Sequence, residues 1–381
     1  KIIYEKKCVE KFGGKIFYTK EISFSSSHLI NNYLSENNDQ KKILNEISRN
    51  FTINSIDKLF NKIKKLKVLV IGETIIDQYN FCEALGKSGK EPYLAMKNIF
   101  REDYLGGASA ISNHLSDFVK EIKLVSMIGE KEEYMNFIKK KLKENIKYKF
   151  FKKKNSPTIV KTRFVENISK NKLFGAYFLN DHENDEKEDK KIINYIQKNL
   201  TKYDLVVVSD YGHGFISQKL AKKISNSKKF LSLNTQVNAA NVGYHTLKKY
   251  NNIDAMIINE TELRHEMRNK NKEIFSLSKK LLEKINIKDL VVTRGKNGAI
   301  LVSKYSKNKI YIPAFANKLI DKVGAGDAML SIMSLLLKIG SSKKLALLIG
   351  SFAGAFSVQT MGNSEYIDKN KLLRYLEYSL K

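Results

Sequence analysis

The stretch Asp321-Lys322-Val323-Gly324-Ala325-Gly326-Asp327-Ala328-Met329 places two glycines and a carboxylate at the entrance to an apolar run. Ala328 to Lys338 carries apolar residues on nearly every face, as a buried helix does, and Lys309-Ile310-Tyr311-Ile312-Pro313 before it reads as a short strand. The glycines therefore stand where a helix begins, and they let the backbone turn tightly and approach a ligand. Free N–H groups of a first helical turn, together with the helix dipole, favour an anion at that place. A carboxylate there repels the same anion, so Asp327 needs a chemical reason. General-base catalysis supplies one: Asp327 takes a proton from an attacking hydroxyl while the N–H groups of Gly324, Ala325, Gly326 and Asp327 hold charge on a transferring phosphoryl group. An ordinary Gly-containing turn capped by Asp is the alternative for so short a string.

Other polar residues fall at the ends of apolar runs. Lys67-Val68-Leu69-Val70-Ile71-Gly72 suits a buried parallel strand, and Asp77 follows it. Open α/β sheets bind ligands at the C-terminal ends of their strands, where a carboxylate can grip sugar hydroxyls; a turn role is the competing reading of Asp77. Gly106-Gly107 before the helix Ile111 to Val119 permits a close backbone approach to a ligand. The strand from Ala255 ends in Asn259-Glu260-Thr261-Glu262. Asn and Glu at this spacing form a helix-capping box, or Glu262 organises water around a Mg²⁺ ion that bridges phosphates. The metal reading is preferred here because of the glycine-rich string downstream.

Asp321 to Asp327 closely resembles the DTxGAGD signature of the ribokinase-like (PfkB-type) carbohydrate kinases, with Lys322 where Thr is usual. Asp77, Gly106-Gly107, Asn259 to Glu262 and Gly324 to Asp327 occur in the order of that family's motifs. The resemblance covers about residues 66–381 and implies a mostly parallel sheet flanked by helices, with a small β lid. It further implies Asp327 as the base, Asp77 and the glycine pair at the sugar, and Asn259 and Glu262 beside ATP and Mg²⁺, the metal held by Glu262 through water. Thr293, Gly295 and Gly298 match the family's T-x-G-x-x-G segment along ATP, with Arg294 or Lys296 adding charge near phosphate. A monovalent cation is left open. Among such kinases the chain is most similar to the heptose-7-phosphate kinase type, through its lid, a Ser209-Asp210-Tyr211-Gly212 loop and the N-terminal segment. That similarity assigns Arg163 to the substrate region, a solvated strand residue being the equal alternative, and Asp210 to the sugar or the phosphate path. Thr360-Met361-Gly362-Asn363 is expected to close over adenine. Lids of this type pair between subunits, which implies a homodimer.

These residues need a scaffold. Strands are expected at Lys67–Gly72, Ile122–Gly129, Tyr203–Asp210, Phe230–Asn234, Ala255–Asn259 and Leu290–Val302, the last being two strands joined by a Gly turn. Residues 79–104 and 157–179 alternate and read as lid strands. Helices are expected over Glu132–Asn145, Asp181–Asn199 and Ala346–Val358. Residues 1–65 form an N-terminal extension that resembles the tail of a cytidylyltransferase-type domain: a β element from Phe12 to Thr19, a Ser-capped helix through Asn31, and amphipathic helices over Ile43–Lys65. The H-x-G-H motif of such transferases is absent, so nucleotidyl transfer is not expected of this chain. It begins with Lys rather than Met, as a trimmed fragment with a domain cut away before it would.

Composition narrows the function further. With 381 residues and 42% hydrophobic content the chain can fill one large α/β domain or two smaller ones. No uninterrupted apolar run is long enough to span a membrane, and no signal-peptide pattern opens the chain. Two distant cysteines, Cys8 and Cys82, form no disulfide framework or metal cluster, which suits a reducing cytoplasm. The net charge of +28 comes from Lys spread along the chain, without the Arg clusters and interleaved aromatics of nucleic-acid binding. No nucleic-acid partner is expected; the positive field would help draw in ATP and sugar phosphates. The expected activity is therefore ATP-dependent phosphorylation of a sugar or sugar phosphate, for nucleotide-sugar or surface-glycan synthesis. A different sugar or nucleoside kinase of this fold and a non-catalytic sugar- or nucleotide-binding module are the alternatives.

Overall fold

The computed structural model describes residue 10, residues 12–14 and residues 38–380. The chain divides into two compact units, Lys1–Asn37 and Asn38–Lys381. In the first, the Gly13 N–H closes a turn on the Glu10 carbonyl at 3.1 Å. The β element and Ser-capped helix expected over Phe12 to Asn31 otherwise lie outside the described residues.

The second unit runs α1 (Asn38–Asn50), α2 (Ile53–Ile63), β1 (Lys67–Gly72), β2 (Thr74–Lys87), β3 (Leu94–Gly106), α3 (Gly107–Leu115), β4 (Glu121–Gly129), α4 (Met135–Lys141), β5 (Ile146–Lys153), β6 (Ile159–Glu166) and β7 (Lys172–Phe178). It continues with α5 (Glu186–Leu200), β8 (Leu205–Asp210), α6 (Gln218–Ser225), β9 (Phe230–Thr235), β10 (Ile253–Asn259), α7 (Glu260–Met267), α8 (Ile274–Ile285) and β11 (Ile287–Thr293). It ends with β12 (Ala299–Ser303), β13 (Lys309–Ile312), α9 (Ala325–Lys338), α10 (Lys343–Ser357) and α11 (Lys369–Ser379).

A nine-stranded sheet has the order β13-β12-β11-β10-β9-β8-β1-β4-β5. From β5 to β11 neighbouring strands run parallel, and β12 and β13 add antiparallel pairs at one edge. Parallel strands are covered on both faces, so they read as unbroken apolar runs. Val68 and Val70 of β1 pack on one face with α1, α2, α3 and α9 to α11; Leu69 and Ile71 pack on the other with α5, α6 and α8. Burying one such side chain contributes about 1.5–3 kcal/mol. Leu44, Ile47, Ile56, Phe60 and Ile63 join the first of these cores. Residues 38–63 thus pack with the main sheet.

The chain leaves β1 toward β4 on one side and β8 on the other. This reversal is the crevice where such sheets take ligands. Over it lies the second sheet, order β3-β2-β6-β7, built from the two segments expected to form a lid. One expectation needs revision. The helix foreseen over Glu132–Asn145 is limited to α4, and the Lys-rich segment after it is the edge strand β5, parallel to β4. Among the described residues no helix is long and apolar enough to cross a membrane.

Candidate active site

Helix α9 begins at Ala325 with Gly324 as its N-cap. Gly324 has φ +89°, a left-handed conformation, and a Cβ there would stand 2.2 Å from Asn363 Oδ1. Only glycine meets both demands. The first helical bond runs from the Ala328 N–H to the Gly324 carbonyl at 2.9 Å, so the N–H groups of Ala325, Gly326 and Asp327 precede it. A Cβ on Gly326 would meet nothing within 4 Å, which leaves open space over the helix end. Unpaired donors, the dipole and this open space fit a phosphate.

Asp327 is partly exposed to the cleft but surrounded by enough protein that burial pushes its carboxyl up to about 7. The Tyr211 hydroxyl donates to its Oδ1 at 2.9 Å and opposes that rise, Asp77 adds to it, and Lys161 opposes it. A carboxyl near neutral pKa at the positive end of a helix has the properties of a general base.

The lid supplies the opposite wall. Strand alternation puts Asp77 and Tyr79 of β2 on the same face as Lys161 and Arg163 of β6, since Asp77 pairs with Lys161 and Tyr79 with Arg163. Arg163 Nη1 donates to Asp77 Oδ1 at 2.6 Å, and the Arg163 guanidinium stacks over Tyr79. Both charges are largely buried, so removing either partner leaves the other uncompensated. Arg163 therefore lies within the cleft and is not a solvated strand residue. Lys161 is 5% exposed, and burial pulls its ammonium down to about 8 against the charge of Asp77. The glycine pair fits closely: a Cβ on Gly106 would stand 2.3 Å from Asp77 Oδ2, and one on Gly107 (φ +61°) 2.3 Å from the Glu73 carbonyl. That carbonyl accepts the Ala108 N–H at the start of α3.

Asp210 does not face this wall. Its carboxylate, 1% exposed, is held by Lys249 Nζ and the Tyr250 hydroxyl, both at 2.7 Å, and by the Gly212 N–H at 3.1 Å. It organises the loop after β8, and the next residue, Tyr211, is the one that reaches Asp327. The buried Glu73 carboxyl, raised to about 7 by burial and then by the charge of Asp210, accepts the N–H groups of Tyr211 and His213.

Asn259 and Glu262 form the capping box of α7, with Glu262 N–H to Asn259 Oδ1 and Asn259 N–H to Glu262 Oε2 both at 2.8 Å. Burial raises the Glu262 carboxyl to about 7, its bond to the Asn259 N–H opposes the rise, and the Asp327 charge adds to it. Thr293, at the end of β11, pairs with Asn259. Gly295 and Gly298 bound the turn into β12, and Arg294 is ion-paired to Glu260 at 3.0 Å. Gly362 and Asn363 are tied into the fold by hydrogen bonds of their own. The Gly362 N–H donates to Asp321 Oδ2, and Asn363 Nδ2 donates to the Leu105 carbonyl at 3.0 Å. Asp321 also accepts the Tyr79 hydroxyl at 2.6 Å and the Lys172 ammonium, so it joins the phosphate loop to the lid. Lys161 and Glu73 carry no signal in the sequence; Tyr211 and Asp321 fall within the motifs named above, but the sequence assigns neither a role of its own.

Comparison with known proteins gives the family and the fold. The bifunctional protein HldE of Campylobacter jejuni subsp. doylei is 25% identical over 325 residues, covering 84% of this chain and 67% of that protein. That of Blochmanniella pennsylvanica is 23% identical over 314 residues, covering 80% and 62%. The chain thus spans about two thirds of the length of these curated relatives. Its fold matches ribokinase of Thermotoga maritima (TM-score 0.64, 19% identity, 82% of this chain and 99% of that one). It also matches phosphofructokinase-2 of Escherichia coli (TM-score 0.63, 16% identity, 82% and 99%). The ribokinase-like architecture is therefore established, and the family model described as pfkB family carbohydrate kinase matches residues 65–370. A glycine-capped helix facing a carboxylate-bearing lid is what such a phosphotransferase needs, and the chain belongs to the pfkB family of carbohydrate kinases.

Proposed function

We propose that the chain transfers the γ-phosphoryl group of ATP to a hydroxyl of a sugar phosphate, a heptose 7-phosphate first among them, in nucleotide-sugar or surface-glycan synthesis. The observation that carries this reading is Asp327 at the N-terminus of α9, facing Asp77, Lys161 and Arg163 across the cleft. The basic lid pair suits an acceptor that already bears a phosphate, and the HldE relatives point the same way.

Asp77 and the backbone at Gly106-Gly107 hold the acceptor. Its attacking hydroxyl gives its proton to Asp327 as the new oxygen–phosphorus bond forms. The bond from phosphorus to the β-phosphate oxygen breaks, and ADP leaves with that electron pair. The first-turn N–H groups of α9 stabilise charge on the transferring group. The turn from Thr293 to Gly298 borders the nucleotide. No group of three or more metal-binding side chains occurs among the described residues. Mg²⁺ would be held by Glu262 and Asn259 through its water and would offset phosphate charge. ATP is supplied in the cytoplasm, where we place the reaction.

The test is ADP release with Mg·ATP over a panel of sugars and sugar phosphates. One phosphorylated heptose should dominate, and Asp77→Asn should raise the acceptor KM while leaving the ATP KM unchanged. Preference for an unphosphorylated sugar or a nucleoside would overturn the substrate assignment. Turnover on no acceptor together with no ATP binding would favour a binding module.

A homodimer through the lid is part of the same proposal. The lid face turned away from the cleft carries exposed Phe174 and Phe178, with Phe164 stacked on Phe174 at 4.3 Å. Sedimentation should give a dimer that Phe174→Ser weakens; a monomer at all concentrations would refute the pairing.

A further inference from the structure

The geometry points to Tyr211 as a positioning residue for Asp327, one that holds Oδ1 and so presents Oδ2 to the acceptor hydroxyl. This rests on the reading of Asp327 as the base. The Tyr211 hydroxyl lies 2.9 Å from Asp327 Oδ1 and donates to it. Everything else about Tyr211 is fixed. Its N–H donates to Glu73 Oε2 at 3.0 Å, and its carbonyl accepts from Asn241 Nδ2 at 2.8 Å and Asn238 Nδ2 at 3.1 Å. Its ring packs on Ile75 of β2, Ile159 of β6 and Leu179, with Lys161 Nζ 5.4 Å from the ring centre. A Cβ on Gly107 would stand 3.3 Å from the ring, so the second glycine of the pair makes room for it. Tyr211 is thus clamped between the lid, the start of α3 and the loop after β8, with its one polar atom on the carboxylate.

A carboxyl group on one short side chain can rotate and offer either oxygen. A donor bound to one oxygen removes that freedom and aims the other lone pairs, which favours a reactive arrangement. The hydrogen bond also lowers the basicity of Asp327, so its loss has a definite sign. Other charged groups acting on Asp327 are Asp77 of β2, Lys161 of β6 and Glu262 of α7, and Arg163 of β6, Glu73 after β1 and His213 after β8 act on Lys161 in turn. None of them is altered by a change confined to the Tyr211 hydroxyl.

The experiment compares Tyr211→Phe, 3-fluorotyrosine at position 211, and Asp327→Asn by kcat and by the pH profile of kcat/KM. Tyr211→Phe should lower kcat by about 10–100-fold with acceptor KM little changed, and move the acid limb to higher pH. Fluorotyrosine, a stronger donor of nearly the same shape, should move the limb to lower pH. Folding of Tyr211→Phe is checked by circular dichroism; were it to fail, the fluorotyrosine limb decides, and an unmoved limb overturns the proposal. A fall in kcat for Tyr211→Phe with no displacement of the limb marks a merely structural tyrosine and also overturns it. Normal turnover in Asp327→Asn would refute the base itself, separately from the role of Tyr211.

Discussion

Asp327→Asn should lower kcat by about 10²–10⁴-fold and leave the KM values for ATP and acceptor nearly unchanged. Asparagine has the shape of aspartate, and its carbonyl oxygen can still accept the Tyr211 hydroxyl, so the site should keep its form. What it cannot do is take a proton. In the parent enzyme kcat/KM should rise with pH through about 7, because burial holds the Asp327 carboxyl up to about 7 and only its ionised form is a base. The variant should lose this limb. Stability should move the opposite way. A carboxyl whose folded pKa is raised above its unfolded value keeps its proton longer in the native state, so native stability falls as pH rises from about 4 through 7. Asp327→Asn removes that cost, so its Tm should exceed the parent's at pH 8, with the gain shrinking toward pH 4. Steady-state kinetics and thermal melts at several pH values check both parts, and near-parental turnover would refute the base.

The glycine-rich string was legible because its demands are local: a left-handed residue and an open helix end exclude other side chains at Gly324. The positions of the central parallel strands were legible for the same kind of reason, since strands covered on both faces must be apolar throughout. Strand β5 was not, because it lies at an edge and only its ends, Ile146 and Lys153, are buried. Lys153 illustrates a wider difficulty. Its ammonium donates to the carbonyls of Asn180, His182 and His213, a role no sequence pattern announces in a chain so rich in solvated lysine. Lys161 was hidden in the same way. The loop after β8 was located, but which of two successive residues points into the cleft depends on how the strand ends. There the Gly212 turn (φ +69°) ties Asp210 back to Lys249 and leaves Tyr211 to face Asp327. Asn259 and Glu262 form the capping box, and because the same spacing would serve a ligand role the sequence could not separate the two readings.

Gly324→Ala should abolish most turnover and lower Tm, whereas Gly326→Ala should lower turnover alone. At position 324 an L side chain in the left-handed region costs about 1–2 kcal/mol from conformation. The added Cβ would also stand 2.2 Å from Asn363 Oδ1 and 3.1 Å from Ser357 Oγ. Asn363 must then give way, and its bond to the Leu105 carbonyl lies directly before Gly106-Gly107. One methyl group would thus disturb the phosphate cradle and the acceptor wall together, and a displacement of about 1 Å there is enough for a 10²-fold loss. At position 326 the added Cβ meets no atom within 4 Å, and alanine suits a first helical turn better than glycine, so the fold should be unharmed. Helical Cβ atoms lean toward the N-terminus, which aims this methyl into the space where the transferring phosphoryl group would sit. The pair separates folding from chemistry: a stable Gly326→Ala with weakened ATP turnover places the anion over the end of α9. Parental kcat in both variants would mean that the anion binds elsewhere, and that Asp327 sits beside an empty helix end.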